Sequence, residues 1–76
     1  MSSLAEVPVG ARARVLAVSG GDDVSLRLLE MGLTPGVELA VVGTAPLGDP
    51  LELEVRGYRL SVRKSEAAKV DIERLT

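Results

Sequence analysis

The chain has 76 residues, 46% of them hydrophobic, with nine Lys and Arg against eleven Asp and Glu for a formal charge of −2. That length allows one domain, expected to span residues 1–76, which buries about 60 to 65% of its unfolded surface and leaves little material for a deep catalytic cleft. Cys and His are both absent, which excludes disulfides, thiolate nucleophiles, imidazole bases and the nitrogen and sulfur ligands that usually hold zinc or iron.

The amino terminus, Met1-Ser2-Ser3-Leu4-Ala5-Glu6, carries neither a basic leader region nor an apolar run. No stretch approaches about 18 uninterrupted apolar residues, so a soluble cytoplasmic chain without direct membrane insertion is expected. Arg12 to Ser19 reads as a first strand, with Ala13, Val15 and Ala17 on one side; Leu16 and Val18 interrupt the polar side, and Gly20-Gly21 ends the run. Asp22 or Asp23 then caps a short helix reaching about Met31, closed by Gly32 as a left-handed cap.

At 100° per residue, Val24, Leu28 and Met31 share one face of that helix, while Leu26 and Leu29 project from roughly the opposite side. Two apolar faces need two things to pack against. Either the helix plugs the end of the fold and both faces are core, or Leu26 and Leu29 are left for a partner.

Pro35-Gly36 launches a second strand over Val37 to Val42, stopped by Gly43-Thr44. The loop Ala45-Pro46-Leu47-Gly48-Asp49-Pro50 follows. Its prolines fix their own φ, and Gly48 takes the positive φ that Leu47 or Asp49 would resist. The result is a rigid loop presenting Leu47 beside the Asp49 carboxylate, either a plain turn or a docking feature built from Leu47, Gly48, Asp49 and Pro50.

Leu51, Leu53 and Val55 alternate with Glu52, Glu54 and Arg56 without exception, the clearest strand in the chain. Arg56-Gly57-Tyr58-Arg59 reads as a type II′ hairpin with Gly57 and Tyr58 in the loop. That register sets Val55 against Leu60, Leu53 against Val62 and Glu52 against Arg63. Ser65 to Ala68 forms a short turn or single 3₁₀ turn, and Val70 and Ile72 alternate with Asp71 and Glu73 in a fifth strand. Five short strands with one helix after the first predict a mainly β fold, a small five-stranded SH3-like barrel. An OB-fold, the nearest competitor, places its helix between the third and fourth strands.

Arg56, Arg59, Arg63 and Lys64 form a local basic cluster, but Glu52, Glu54 and Glu66 lie among them and Tyr58 is the sole aromatic residue. Without stacking platforms on a positive surface, no nucleic-acid partner is expected. Glu52 and Glu54 on one strand face are read as a solvated, charge-balanced surface rather than a metal site. Gly20-Gly21 lacks the Lys-Ser or Lys-Thr of a phosphate loop, and Ser25 and Ser61 have no imidazole to activate them. No cofactor, metal site or catalytic residue is therefore expected.

Three segments in order, Leu28 to Gly36, Ala45 to Pro50 and Leu60 to Ala67, resemble the signature of ferrous iron transport protein A, the FeoA family. The resemblance runs from Leu4 and Gly10 to Val70 and Ile72. It implies a small cytoplasmic SH3-like protein that assists a membrane transporter of ferrous iron, whose large subunit FeoB carries a GTP-binding domain. The family is related to the SH3-like carboxy-terminal domain of diphtheria-toxin-repressor-type metal regulators; with no helix-turn-helix ahead of residue 1, a stand-alone accessory role is expected over a regulatory domain acting on such a repressor. The expected partner is the cytoplasmic part of a FeoB-type transporter, met through Leu26, Leu29, Leu47, Gly48, Asp49 and Pro50.

Overall fold

A computed structural model describes residues 2–75, so Met1 and Thr76, the ends of the expected unit, lie outside the described residues. The elements are β1 (Ser2–Ser3), a 3₁₀ turn at Leu4–Glu6, β2 (Arg12–Val18), α1 (Asp23–Glu30), β3 (Glu38–Thr44), β4 (Leu51–Val55), β5 (Tyr58–Val62), α2 (Lys64–Ala67) and β6 (Val70–Arg74). The strands form one antiparallel sheet in the order β1-β6-β2-β3-β4-β5.

This corrects the expected five-stranded barrel in three respects. Among the described residues the sheet has six strands and is open, because β1 and β5 end it without pairing to each other. The long helix follows the second strand, since Ser2 and Ser3 pair with Ile72 and Asp71. The segment expected as a 3₁₀ turn is the short helix α2, whose Ala67 and Ala68 amides donate to the Arg63 and Lys64 carbonyls. The Ser2-Ser3 dipeptide carries no apolar alternation, so only its pairing with β6 makes it a strand.

One core gathers Leu4, Ala13, Val15, Leu28, Leu33, Val41, Leu53, Val55, Val62 and Ile72, with Val24, Met31 and Leu60 packed against it. Two bulges set which residues reach that core. In β2, Val15 opposes Ile72 and Ala17 opposes Asp71, so Leu16 is the extra residue. The bulge advances the phase: Val18 rather than Ala17 packs on the core, and Leu16 is exposed. In β3 the register shifts between Val41 and Gly43, and the strand continues through Thr44 instead of stopping at Gly43.

The β4–β5 hairpin keeps its predicted faces but not its register. Val55 opposes Tyr58, Leu53 opposes Leu60, Glu52 opposes Ser61 and Leu51 opposes Val62. The two-residue loop is Arg56-Gly57, with φ of +50° and +87°, the positive pair of a type I′ turn. Every partner is displaced by two residues from the expected pairing, and a displacement of two preserves which face each side chain takes.

Candidate interaction surface

The two apolar faces of α1 have different fates. Leu28 is fully buried and Val24 and Met31 lie against the core, whereas Leu26 is 57% exposed and Leu29 half-buried. Leu26 and Leu29 join Val18 and Gly21 in lining a shallow pocket of about 250 Å³, with Asp22 and Asp23 also on its wall.

Asp22 and Ser25 on the wall of that pocket belong to a polar network that also includes Ser19 and Lys69. Asp22 caps α1 by accepting from the Ser25 amide at 2.9 Å, and its second oxygen accepts from the Lys69 ammonium at 2.7 Å. The buried Ser25 hydroxyl donates to the Ser19 carbonyl and lies 3.0 Å from Asp22 Oδ1. The Ser19 amide and hydroxyl both donate to the Lys69 carbonyl, at 2.8 and 3.0 Å. The Lys69 ammonium, then the Ser25 amide and hydroxyl, hold the Asp22 carboxyl well below the usual carboxylate range. Ion pairing between Arg27 and Glu66 also ties α1 to α2.

At the other end of α1, the Tyr58 hydroxyl donates to the Met31 carbonyl at 2.7 Å. Gly32 has φ +108°, and a Cβ there would overlap that hydroxyl. Glycine is required twice over, by backbone conformation and by the tyrosine. Sequence reading found the glycine but not the tyrosine, because the expected register placed Tyr58 in the hairpin loop.

The 45–50 loop is held by hydrogen bonds of its own and by a contact with α2. The Gly48 amide donates to the Ala45 carbonyl at 2.7 Å, Gly48 has φ +86°, and the Asp49–Pro50 peptide is cis. Asp49 Oδ1 accepts from the Lys64 amide at 3.0 Å, capping the first turn of α2 from outside the helix. Pro50 lies beside Leu51, which opens β4, and its carbonyl accepts from the Ala45 amide. Leu47 is 96% exposed at the tip. None of Leu47, Gly48, Asp49 and Pro50 lines the Leu26–Leu29 pocket, so the six candidate residues divide into two separate features.

No group of three or more carboxylates, among the described residues, is placed to hold a metal ion. No described helix is long and apolar enough to cross a membrane.

The FeoA domain family matches residues 2–74. This chain belongs to the FeoA family. It is 37% identical over 70 residues to an Fe(2+) transport protein A/Fe(2+) transporter FeoB fusion protein of Porphyromonas gingivalis, an alignment covering 92% of this chain and 8% of the fusion. The fold is similar to that of a FeoA-like protein from Clostridium acetobutylicum, with TM-score 0.92, 37% identity and coverage of 99% of this chain and 87% of that one. FeoA of Stenotrophomonas maltophilia, an SH3 domain protein solved with zinc, gives TM-score 0.83 at 32% identity over 96% of this chain and 91% of its own. The SH3-like description thus holds for a six-stranded open sheet. The metal regulator ScaR shares the fold alone, at 20% identity and TM-score 0.83 over 35% of its length.

Proposed function

We propose that this chain is a noncatalytic accessory unit of ferrous iron uptake, a single FeoA-like domain in the cytoplasm that binds the cytoplasmic part of a FeoB-type transporter and modulates it. The observation that carries this reading is the P. gingivalis fusion, in which a relative of this chain and FeoB are one polypeptide. Covalent linkage holds two modules at high effective concentration, an arrangement suited to parts that work together.

The chemistry of the chain supports the noncatalytic assignment. The one buried hydroxyl among the described residues, that of Ser25, lies between the Ser19 carbonyl and Asp22. Asp22 is itself engaged by Lys69 and by the Ser25 amide, so this carboxylate serves as a helix cap and ion-pair partner rather than as a free base. Any GTP hydrolysis falls to the partner. Leu26 and Leu29 beside their pocket, and Leu47 on the loop formed by Gly48, Asp49 and Pro50, are the docking candidates.

A regulatory role on a metal-dependent repressor is the second reading, and only likeness of fold speaks for it. A pulldown with the purified cytoplasmic region of a FeoB-type transporter tests the proposal. Retention is expected, and its reduction by Leu29→Glu in a folded variant would locate the contact on α1. Failure of the unaltered chain to be retained would overturn the reading.

A further inference from the structure

The cations of this protein are divided unevenly. Arg12, Arg14, Arg27 and Lys69 form ion pairs with Glu38, Glu73, Glu66 and Asp22, and Arg74 is also engaged. The other four, Arg56, Arg59, Arg63 and Lys64, form no ion pair among the described residues. All four fall between the β4–β5 turn and the start of α2, along the strand that ends the sheet.

Among the described residues, strand β5 pairs with β4 on one side and with no strand on the other. In a two-residue hairpin the pair flanking the loop exchanges both main-chain hydrogen bonds, and bonded pairs alternate with unbonded ones. Val55 and Tyr58 flank the loop. The N–H and C=O groups of Arg59 and Ser61 therefore point away from β4, toward the open edge. Arg59, Leu60 and Ser61 also line a recess of about 180 Å³ with Glu52.

We propose that the β5 edge accepts an extended protein segment of alternating apolar and acidic residues, added as a further strand. The side-chain rows of the hairpin specify this occupant. On the outer face Glu54 stands opposite Arg59, and an acid on an added strand would continue that row with Arg59 between two carboxylates. On the inner face Leu53 stands opposite half-buried Leu60, and an apolar residue would extend that row. Strand β4, Leu51-Glu52-Leu53-Glu54-Val55, already meets this requirement on the other side. β5 itself, Tyr-Arg-Leu-Ser-Val, carries no acid, so a second copy of the strand would supply no carboxylate to Arg59, and self-pairing is disfavoured relative to an acidic strand. Arg56 adds to the positive rim from a left-handed backbone position that favours Asn or Gly.

This surface differs from the α1 pocket and does not depend on which protein supplies the strand. The probe is a capped peptide with the β4 sequence, Leu-Glu-Leu-Glu-Val, followed by amide exchange and NMR shifts of the intact chain. Binding is expected to slow exchange at Arg59 and Ser61. Arg59→Glu should weaken it about tenfold or more, and it should vanish for the charge-reversed peptide Leu-Lys-Leu-Lys-Val. Backbone N-methylation of the peptide should abolish binding while leaving its charge intact; Ser61→Pro in the protein should do the same, because that N–H serves no partner in β4. Binding indifferent to N-methylation would mean ion pairing without strand addition and would overturn the proposal. So would no binding at about 1 mM peptide, equal binding of the charge-reversed peptide, or shifts at the four cations produced only by phosphatidylglycerol vesicles.

Discussion

The corner around α1 and the arm from residue 45 to residue 64 handle exposed chemistry in opposite ways. At the corner, Asp22, Ser25, Ser19 and Lys69 satisfy one another and Tyr58 closes the helix end. Along the arm, Leu47 projects almost entirely into solvent and four cations lack ion-pair partners among the described residues. A network that closes on itself maintains the fold. Groups left open on a rigid frame are where a partner is to be sought, because their ordering cost is already met by the loop and strand that carry them.

Substitutions test that contrast by how differently they act at the two places. The largest effect is expected from Leu28→Glu, which buries an unpaired carboxylate in the core and costs more than about 4 kcal/mol, unfolding the chain by circular dichroism. Leu29→Glu, one residue along on the half-buried face, should leave a cooperative transition. If both unfold the protein equally, both faces of α1 are structural and the pocket loses its claim as a docking site.

Gly32→Ala comes next. The methyl group meets both the left-handed backbone and the Tyr58 hydroxyl, so a loss of about 2 to 3 kcal/mol in chemical denaturation is expected. Combining it with Tyr58→Phe should recover part of the loss by removing the oxygen. Tyr58→Phe alone should cost about 1 kcal/mol, the worth of one hydrogen bond.

The acid limb of stability sharpens the same comparison. Because the folded-state pKa of Asp22 is depressed, its contribution is present in full above its unfolded value and declines as pH falls below about 4. Melting temperature should therefore drop between about pH 5 and pH 3, and Asp22→Asn should flatten that drop. The smallest effect is expected from Leu47→Ser, under about 0.5 kcal/mol for so exposed a side chain. Destabilisation on the scale of a core truncation would place the 45–50 loop with the corner.

Much of the molecule was legible in its sequence, and the rest was hidden for identifiable reasons. The α1 faces, the Asp22 cap, Gly32 and the positive φ of Gly48 all follow from local periodicity and conformational preference. The hairpin register did not, because alternation has period two and cannot detect a displacement of two residues. The decision lay with Arg56 entering the left-handed region, which residue preference argues against. The bulge at Leu16 was visible only as broken alternation. The Asp22–Lys69 and Asp49–Lys64 contacts join residues far apart in the chain, so no local pattern signals them. For the candidate site, the wheel separated Leu26 and Leu29 from the Leu28 face but left open whether they were core, which depended on what packs against α1; the open charge on β5 likewise required knowing which other cations were engaged.

The hydroxyl of Tyr58 has a spectroscopic consequence. It is the sole aromatic side chain of the protein, and its phenol is a donor to the carbonyl at the end of α1. Near-ultraviolet absorption and emission therefore come from a single chromophore at the junction of helix and hairpin. Release of the phenol to water shifts its band toward shorter wavelength, so anything that lifts the hairpin from the helix can be followed without attaching a label.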